Sequence, residues 1–214
     1  MRHGEVAYYD DTGSPLGIDP SLSPAGREQA RVAGAALAGM RFDRLITSDL
    51  VRTIETARIV APELDPVVVP ELAELRGGRL DEIPGDELEL AFTGAFRNEP
   101  PETTRFLRGE SIGEFLDRVL PVIDALVDDP GWRDALAVLH GAVNRAIIST
   151  ALAGRRAYFG SFEQGPACIN ILDHGPDRWI VRTVNYTPYN PLHTGTRATS
   201  VERLLAQYRP PGED

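Results

Sequence analysis

The sequence predicts an α/β protein: a three-layer sandwich with a mostly parallel central sheet flanked by helices. Short apolar, β-branched runs alternate along the chain with longer segments that have helical spacing. The chain has 214 residues, of which 42% are hydrophobic, so it can fill a core. Because no repeat, low-complexity tract or linker divides it, we expect a single domain over residues 1–214.

In the first half of the chain, the signals for helices and strands alternate. Ser23 followed by Pro24 is typical of a helix N-terminus, and this helix is expected to continue to about Gly39. The elements predicted after it are a strand at Arg44–Thr47, a helix from about Leu50 to Val60, and a buried strand at Val67–Val69.

The second half contains clearer signals. Ser111 is a good N-cap for a helix whose apolar positions continue from Ile112 to Leu126. A buried strand at Leu136–Leu139 leads into His140. The elements predicted after it are a helix from about Val143 to Leu152 and two strands, near Cys168–Leu172 and Trp179–Val184, which flank the turn Asp173–Pro176 as an antiparallel pair.

The stretch from Leu72 to about Arg108 is rich in Gly, Pro and Glu, with one helix predicted near Glu87–Phe92. It is too long for an ordinary loop, so we interpret it as a functional excursion over the active face, at about residues 72–108. Substrate specificity is expected there and in the loop 186–196. Four arginines of the excursion are candidates for binding an anionic part of a substrate, although a solvated surface position is favoured for each: Arg76, Arg79, Arg105 and Arg108.

The charge balance limits the classes of partner. The chain has 32 acidic and 22 basic residues and a net charge of −10, which opposes binding to nucleic acid or to an anionic membrane. A small phosphorylated molecule remains compatible, since a direct Arg–phosphate contact outweighs screened charges at a distance. With no apolar run of about 20 residues and no secretory signal at the N-terminus, the expected location is cytoplasmic. The oligomeric state is open, and a homodimer is one option.

The single Cys168 forbids an intrachain disulfide and a multi-cysteine zinc site. It is expected to be a small, buried strand residue. Phosphate-binding GxxxxGK[ST] loops, GxSxG nucleophile elbows and HExxH pairs are also absent. The chemistry must therefore come from other residue types.

Histidines are the most informative candidates. His140 ends a predicted buried strand and precedes a helix, where backbone N–H groups and the helix dipole favour an anion. Arg2, a suitable phosphate partner, precedes His3. His174 and His193 lie among turn residues and are expected to be structural or on the surface.

A set of motifs in a fixed order gives these residues a context. The set comprises Arg2-His3-Gly4-Glu5, the segment 22–30 (LSPAGREQA), Ser48-Asp49-Leu50-Val51-Arg52, Glu74 with Gly78, Gly109-Glu110-Ser111, and His140-Gly141. In this order the set resembles the histidine phosphatase superfamily, also called the phosphoglycerate mutase-like family, and its compact phosphatase branch. The resemblance extends from residue 2 to about residue 152, and it implies the phosphoglycerate mutase-like fold.

The resemblance implies a role for each matching residue. His3 would be the nucleophile, Arg2 and Arg52 would bind phosphate, His140 would be the second histidine of the pocket, and Gly141 would lie against the substrate. The chemistry is consistent with these roles, since a neutral imidazole can attack phosphorus to form a phosphohistidine. Two guanidinium groups and a protonated His140 can neutralise the phosphoryl oxygens.

The proton donor is less sharply defined. The Glu-x-x-x-Gly spacing favours Glu74, a carboxylic acid that could protonate the leaving alkoxide and then activate water. Asp81 and Glu82 crowd the same excursion and remain alternatives. Two positions depart from many relatives: Tyr9 stands where an Asn is common, and Leu139 stands where a Ser often precedes the second His-Gly.

We therefore expect a metal-independent phosphomonoesterase that acts on a small phosphorylated metabolite through a phosphohistidine, with no cofactor and no metal. One alternative is a phosphoglycerate mutase-type isomerase, in which the phosphohistidine returns its phosphate to a bound product. Another is a non-catalytic protein that binds a phosphorylated ligand.

The start of the chain carries one further expectation. In the family, the Arg-His-Gly motif follows a central parallel strand, yet only Met1 precedes Arg2 here. Central parallel strands are typically about five apolar residues long. We expect the native protein to begin about five to ten residues upstream, with an apolar run leading into Met1.

Overall fold

The computed structural model describes residues 1–8, 19–175, 178–195 and 197–208. Six helices occur in these ranges: α1 (Pro24–Leu37), α2 (Val51–Val60), α3 (Gly85–Thr93), α4 (Ile112–Val127), α5 (Gly141–Ala153) and α6 (Ser200–Tyr208). Five strands occur with them: β1 (Arg44–Thr47), β2 (Pro66–Val68), β3 (Ala135–Val138), β4 (Ile169–His174) and β5 (Trp179–Tyr186).

The strands β2, β1 and β3 form a parallel sheet in that order, with Ile46 of β1 aligned with Val67 and Ala137. Strands β4 and β5 form an antiparallel hairpin. Parallel strands joined through helices put their carboxyl ends at one edge of the sheet, which is where ligands collect in such folds. Residue Ser48 follows β1 and His140 lies two residues beyond β3, both at this edge.

Helices cover both faces of the sheet, as a three-layer sandwich requires. On one face, Leu45 of β1 packs with Ala33 of α1 and Ala57 of α2. On the other face, Ile46 packs with Phe115 of α4 and Ala146 of α5. Because neighbouring residues of a strand point to opposite faces, Leu45 and Ile46 belong to two separate cores. The predicted α/β fold is confirmed.

The first three residues fill a gap between the sheet and the hairpin. Leu139 N–H donates to Met1 O (2.8 Å), and His3 N–H donates to Leu139 O (2.9 Å). On the other side, Arg2 N–H donates to Cys168 O and Ala167 N–H donates to His3 O. This segment therefore hydrogen-bonds like a short parallel strand beside β3. The expectation that further residues precede Met1 stays a prediction.

The excursion carries the predicted helix as α3, which begins two residues before the predicted start and ends one residue later. The apolar residues Ile83, Phe92 and Leu107 of the excursion pack against Leu205 of α6. Helix α6 was not predicted from the sequence. It packs against the excursion, so the last described residues and the excursion form a third apolar cluster.

Two sequence predictions need correction. The strand at Val67–Val69 was expected to be buried, but Val67 is 50% exposed because β2 is an edge strand of the described sheet. The turn was expected at Asp173–Pro176, but Asp173 and His174 pair with Ile180 and Trp179 inside the hairpin. Pro176 lies outside the described residues, as does Thr196 at the end of the predicted specificity loop.

Among the residues that the structure describes, no helix is both long and apolar enough to span a membrane.

Candidate active site

His3 lies at the carboxyl-end edge of the sheet and is only 3% exposed. Its backbone is held on both sides, by Leu139 O and by Ala167 N–H. Its ring Nδ1 lies 2.6 Å from Gly4 O. A carbonyl oxygen can only accept a hydrogen bond, so Nδ1 carries the proton and Nε2 carries the lone pair. The ring is thus fixed in the tautomer that a nucleophile at Nε2 needs.

Gly4 lets the backbone after His3 approach α1 closely. A Cβ atom at Gly4 would collide with the carbonyl group of Gly26, and one at Gly26 would collide with the backbone of Glu5. Gly4 N–H donates to Thr56 Oγ1 of α2 (3.0 Å). The two glycines therefore allow the residues that follow His3 to pack closely against α1 and to bond α2.

His140 is the N-cap residue of α5 and is fully buried. Its ring centroid lies 5.2 Å from that of His3, with the two rings inclined at 64°. Its Nε2 lies 2.8 Å from Ser48 Oγ. The structure thus brings together two histidines that are 137 positions apart in the sequence, at the ends of neighbouring backbone segments.

Two arginines lie with the histidines. Arg2 Nη1 donates to Gln164 O (2.5 Å). Arg52, in the first turn of α2, is 7% exposed, and its Nη1 donates to Asp19 Oδ1 (3.2 Å).

Three donor-capable atoms at this site have no hydrogen-bond partner. Within the described ranges, they are Arg2 Nε, Arg52 Nε and His140 Nδ1, all buried. Buried polar atoms are nearly always paired, so unpaired ones need an explanation. Two guanidinium N–H groups and an imidazole nitrogen converging near His3 match an oxyanion such as a phosphoryl group.

Glu74 is the carboxylate that reaches this edge of the sheet. Its Oε1 accepts from Ala142 N–H in the first turn of α5 (3.0 Å). A Cβ atom at Gly141 would lie 3.6 Å from Glu74 Oε2 and 3.7 Å from Arg2 Nε. The same Cβ atom would lie 3.2 Å from Arg145 Nη1, so Gly141 lies beside all three side chains. In contrast, the competing candidates Asp81 and Glu82 form exposed ion pairs with Arg79.

Burial sets the protonation state of both histidines. Desolvation, followed by the charges of Arg2 and Arg52, lowers the pKa of His3 well below its usual 6.5, although the bond to Gly4 O opposes this. Desolvation likewise lowers the pKa of His140, with further contributions from His3 and the nearby arginines. Both rings are neutral at pH 7 in the free site. His140 is therefore neutral in the free site and not protonated as expected, first because the ring is buried and second because His3 and the arginines lie near it.

Comparison with known proteins identifies the family. The family model of the histidine phosphatase superfamily (branch 1) matches residues 1–187. The chain belongs to this superfamily. The predicted resemblance and the prediction of a phosphatase enzyme are thus both confirmed.

Relatives of this histidine phosphatase carry several names. The chain is 30% identical over 186 residues to the "Probable phosphoglycerate mutase GpmB" of Serratia proteamaculans, covering 84% of this chain and 86% of that protein. A mycobacterial glucosyl-3-phosphoglycerate phosphatase, solved as a complex with VO3, has a TM-score of 0.66 and 26% identity, covering 86% of this chain and 96% of that one. The alpha-ribazole phosphatase of Shigella flexneri shares the fold, with a TM-score of 0.67, 22% identity and coverage of 86% and 94%.

Other sequence candidates lie elsewhere in the phosphatase. Three of the four excursion arginines form exposed ion pairs: Arg79 with Asp81, Arg105 with Glu114, and Arg108 with Glu87. The histidine His174 packs on Trp179 in the hairpin. The thiol of Cys168 is buried, and burial raises its pKa. These positions agree with the surface and structural interpretations favoured from the sequence. The Tyr9 departure lies outside the described residues.

Sequence reasoning missed several residues that support the site. Ser48 bonds His140, Asp19 bonds Arg52, and the carbonyl of Gln164 holds Arg2. The Gln164 side chain is itself buried and bonds to Asn144 and Asn170. Ser48 could have been found, since it lies directly after a predicted strand and inside a family motif. Asp19 and Gln164 carry no such signal.

In the described ranges, no three His, Cys, Asp or Glu side chains lie together in a group that could hold a metal ion. The expectation of metal-independent chemistry stays a prediction.

The lowered pKa values predict how stability depends on pH. Above about pH 6.5, histidines are neutral in both the folded and unfolded chains. As the pH falls below that value, His3 and His140 take up protons in the unfolded chain but not in the folded one. The free energy of unfolding should therefore decrease, by at most about 1.4 kcal/mol per pH unit for each histidine. Urea unfolding from pH 8 to pH 5.5 in phosphate-free buffer measures this decrease.

The variant His3→Asn isolates one contribution, since its Nδ2 can still donate to Gly4 O. Its stability should decrease less steeply towards acid than that of the wild type. An identical slope in His3→Asn and wild type would contradict the assignment of a neutral, buried His3.

Proposed function

We propose that this histidine phosphatase is a metal-independent phosphomonoesterase that hydrolyses a small phosphorylated metabolite through a phosphohistidine at His3. The observation that carries the proposal is the set of three unpaired buried donors around a neutral histidine: Arg2 Nε, Arg52 Nε and His140 Nδ1. These atoms offer an oxyanion the hydrogen bonds that the free protein leaves unmade.

In the first step, the lone pair of His3 Nε2 attacks phosphorus, and the bond between phosphorus and the ester oxygen breaks. Gly4 O, which accepts from Nδ1–H, stabilises the positive charge that the ring gains as the N–P bond forms. The rigid backbone on either side of His3 holds Nε2 in line with the leaving group. Covalent catalysis thereby replaces one difficult displacement by two easier ones.

Arg2 and Arg52 bind the equatorial phosphoryl oxygens through their free Nε–H groups. His140 adds a third donor at Nδ1, provided that Nε2 accepts from the Ser48 hydroxyl. Ser48 Oγ accepts from Leu50 N–H (3.2 Å) and can also accept from the Thr53 hydroxyl (3.1 Å), so that its own proton goes to His140 Nε2. A neutral His140 therefore serves as a hydrogen-bond donor in a site whose positive charge comes from the arginines.

Glu74 lies beside Gly141 and serves as general acid and then general base. Protonated, it gives its proton to the departing alkoxide. Its carboxylate then takes a proton from water, whose oxygen attacks phosphorus while the N–P bond breaks and the electron pair returns to His3 Nε2. The products are the alcohol and inorganic phosphate, and the enzyme regains its starting state.

The relatives support phosphoryl transfer and differ in the acceptor. The mycobacterial relative is named a phosphatase, and its structure was solved with VO3, an oxyanion. The Serratia relative is named a probable phosphoglycerate mutase, so a mutase is the second candidate. In a mutase, the phosphohistidine would return its phosphate to the bound product instead of to water.

The covalent step gives a direct prediction. After brief reaction with substrate and an alkaline quench, the peptide that contains His3 should carry an added phosphoryl group, visible by mass spectrometry. The adduct should be lost in acid, as is usual for a phosphoramidate. His3→Asn should form no adduct, and EDTA should leave turnover unchanged.

Two results would contradict this prediction. Labelling of a residue other than His3 would overturn the nucleophile, and loss of activity in EDTA with recovery on adding a divalent metal would overturn the metal-independent mechanism. An assay with 3-phosphoglycerate separates the candidates: isomerisation that depends on bisphosphoglycerate indicates a mutase, and release of inorganic phosphate indicates a phosphatase.

The role of Glu74 predicts a dependence on the leaving group. Glu74→Gln should lower kcat/KM for an alkyl phosphate such as glycerol phosphate by about 10²–10⁴, because the alkoxide then leaves without a proton. For p-nitrophenyl phosphate, whose leaving group needs no proton, the loss should be much smaller. Steady-state kinetics on both substrates, with burst measurements to separate the two steps, provide the test.

Asp81→Asn and Glu82→Gln are the matched controls, because these exposed carboxylates were the competing candidates for the proton donor. Both should retain wild-type rates on either substrate. A large, leaving-group-dependent loss in one of them, with none in Glu74→Gln, would reassign the general acid.

A further inference from the structure

The backbone around Glu74 has no regular secondary structure of its own. Residues 73–79 belong to neither a helix nor a strand, although they carry the carboxylate that reaches α5. A general acid needs a defined position relative to the leaving oxygen. Some other contact must therefore hold Glu74 in place. We call residues 71–76, which include the end of a short 3-10 helix, the Glu74 segment.

The guanidinium group of Arg118 in α4 donates hydrogen bonds to backbone carbonyl groups of the Glu74 segment. Arg118 Nη1 donates to Glu71 O (2.6 Å) and to Ala73 O (3.0 Å). Arg118 Nη2 also donates to Glu74 O (3.3 Å). One guanidinium group thus bonds three carbonyl oxygens within four residues of the chain.

The carboxylate of Glu110 binds the same guanidinium group of Arg118. Its Oε1 accepts from Arg118 Nε (2.9 Å) and its Oε2 accepts from Arg118 Nη2 (2.8 Å), which is a two-pronged pairing. Glu110 Oε2 also accepts from Arg76 N–H (3.0 Å), and Glu110 N–H donates to Arg76 O. The Arg118 and Glu110 side chains are only 13% and 10% exposed, so the pair is largely shielded from water.

Glu74 is held both at its main chain and at its carboxylate. Arg118 fixes the main chain of the segment, and Ala142 N–H fixes the carboxylate end of the side chain. We propose that Arg118 and Glu110 are positioning residues for the phosphatase reaction, which hold the Glu74 carboxyl where the leaving group departs. This inference rests on the proposed function, in which Glu74 is the general acid.

Lysine cannot replace Arg118 in this arrangement. Its single ammonium group keeps the charge, but it lacks the planar fork that bonds Glu110 and three carbonyls together. Arg118→Lys should therefore loosen the Glu74 segment and leave the charge near His140 in place. A displacement of about 1 Å at a reacting group can cost up to about 10²-fold in rate.

The test compares Arg118→Lys with wild type on glycerol phosphate and p-nitrophenyl phosphate. The variant should lose at least about tenfold in kcat/KM on the alkyl substrate and less than about threefold in kcat/KM on the aryl substrate, since kcat/KM reports the step in which the leaving group departs. Glu110→Gln, which keeps the shape and weakens the pairing, should show the same pattern at smaller size. If Arg118→Lys is too unstable to assay, Glu110→Gln provides the same test.

The double variant Glu74→Gln/Arg118→Lys distinguishes positioning from general destabilisation. If Arg118 acts through Glu74, the double variant should show the same alkyl-to-aryl rate ratio as Glu74→Gln alone. Arg156→Lys is the matched control, since Arg156 makes a similar two-pronged bond with Glu102 but does not contact the Glu74 segment. It should leave both rates at the wild-type level.

The outcomes separate the two proposals. If Glu74→Gln shows no dependence on the leaving group, the general-acid role in the proposed function fails. If Glu74→Gln shows that dependence but Arg118→Lys and Glu110→Gln lose equally on both substrates, or lose nothing, the positioning role fails. Additive effects on the rate ratio in the double variant would also overturn it.

Discussion

The pairing of the segment Met1–His3 between the sheet and the hairpin determines where the chemistry can occur. Hydrogen bonds to Leu139 on one side and to Cys168 and Ala167 on the other hold three residues as if they were a strand. This pairing places His3 beside His140, and Arg2 beside the carbonyl of Gln164. Arg52 lies in α2 and His140 precedes α5, the helices that follow β1 and β3 at the same edge.

The electrostatics of the site follow from burial combined with local positive charge. The chain as a whole carries a net charge of −10, yet two arginines meet two buried imidazoles at this edge. Desolvation and the arginines keep both rings neutral, which preserves the lone pair of His3. The same burial leaves donors on Arg2, Arg52 and His140 without partners. Unpaired donors are unfavourable in the free protein and become favourable when an oxyanion accepts from them.

Much of the architecture is readable from the sequence because local signals and packing agree there. Ser23 with Pro24 starts α1, and Ser111 with Glu114 forms the capping box of α4, so both helices begin where the sequence predicts. The burial of β2 was not readable, since its valines favour a strand but do not reveal that the strand lies at an edge. Helix α6 depends on contacts with the distant excursion, which no local pattern encodes.

For the candidate site, the sequence indicated the residues but not their contacts. The ordered family motifs gave the histidines, the two arginines and Glu74, whereas the contacts that support them came only from the fold. Ser48 and Glu110 stand inside those motifs, but the motifs do not show which residues they contact, and Asp19 and Arg118 carry no signal. These contacts span 8 to 92 positions of sequence. Long-range hydrogen bonds of this kind depend on tertiary geometry.

The most direct test of this account is a crystal structure of the protein with orthovanadate, an analogue of the transferred phosphoryl group. We expect vanadium bonded to His3 Nε2, with Arg2 Nε, Arg52 Nε and His140 Nδ1 each within about 3.2 Å of a vanadate oxygen. Vanadate bound away from His3, or bound while these three atoms keep no partner, would contradict the central claim that the unpaired donors form the phosphoryl site.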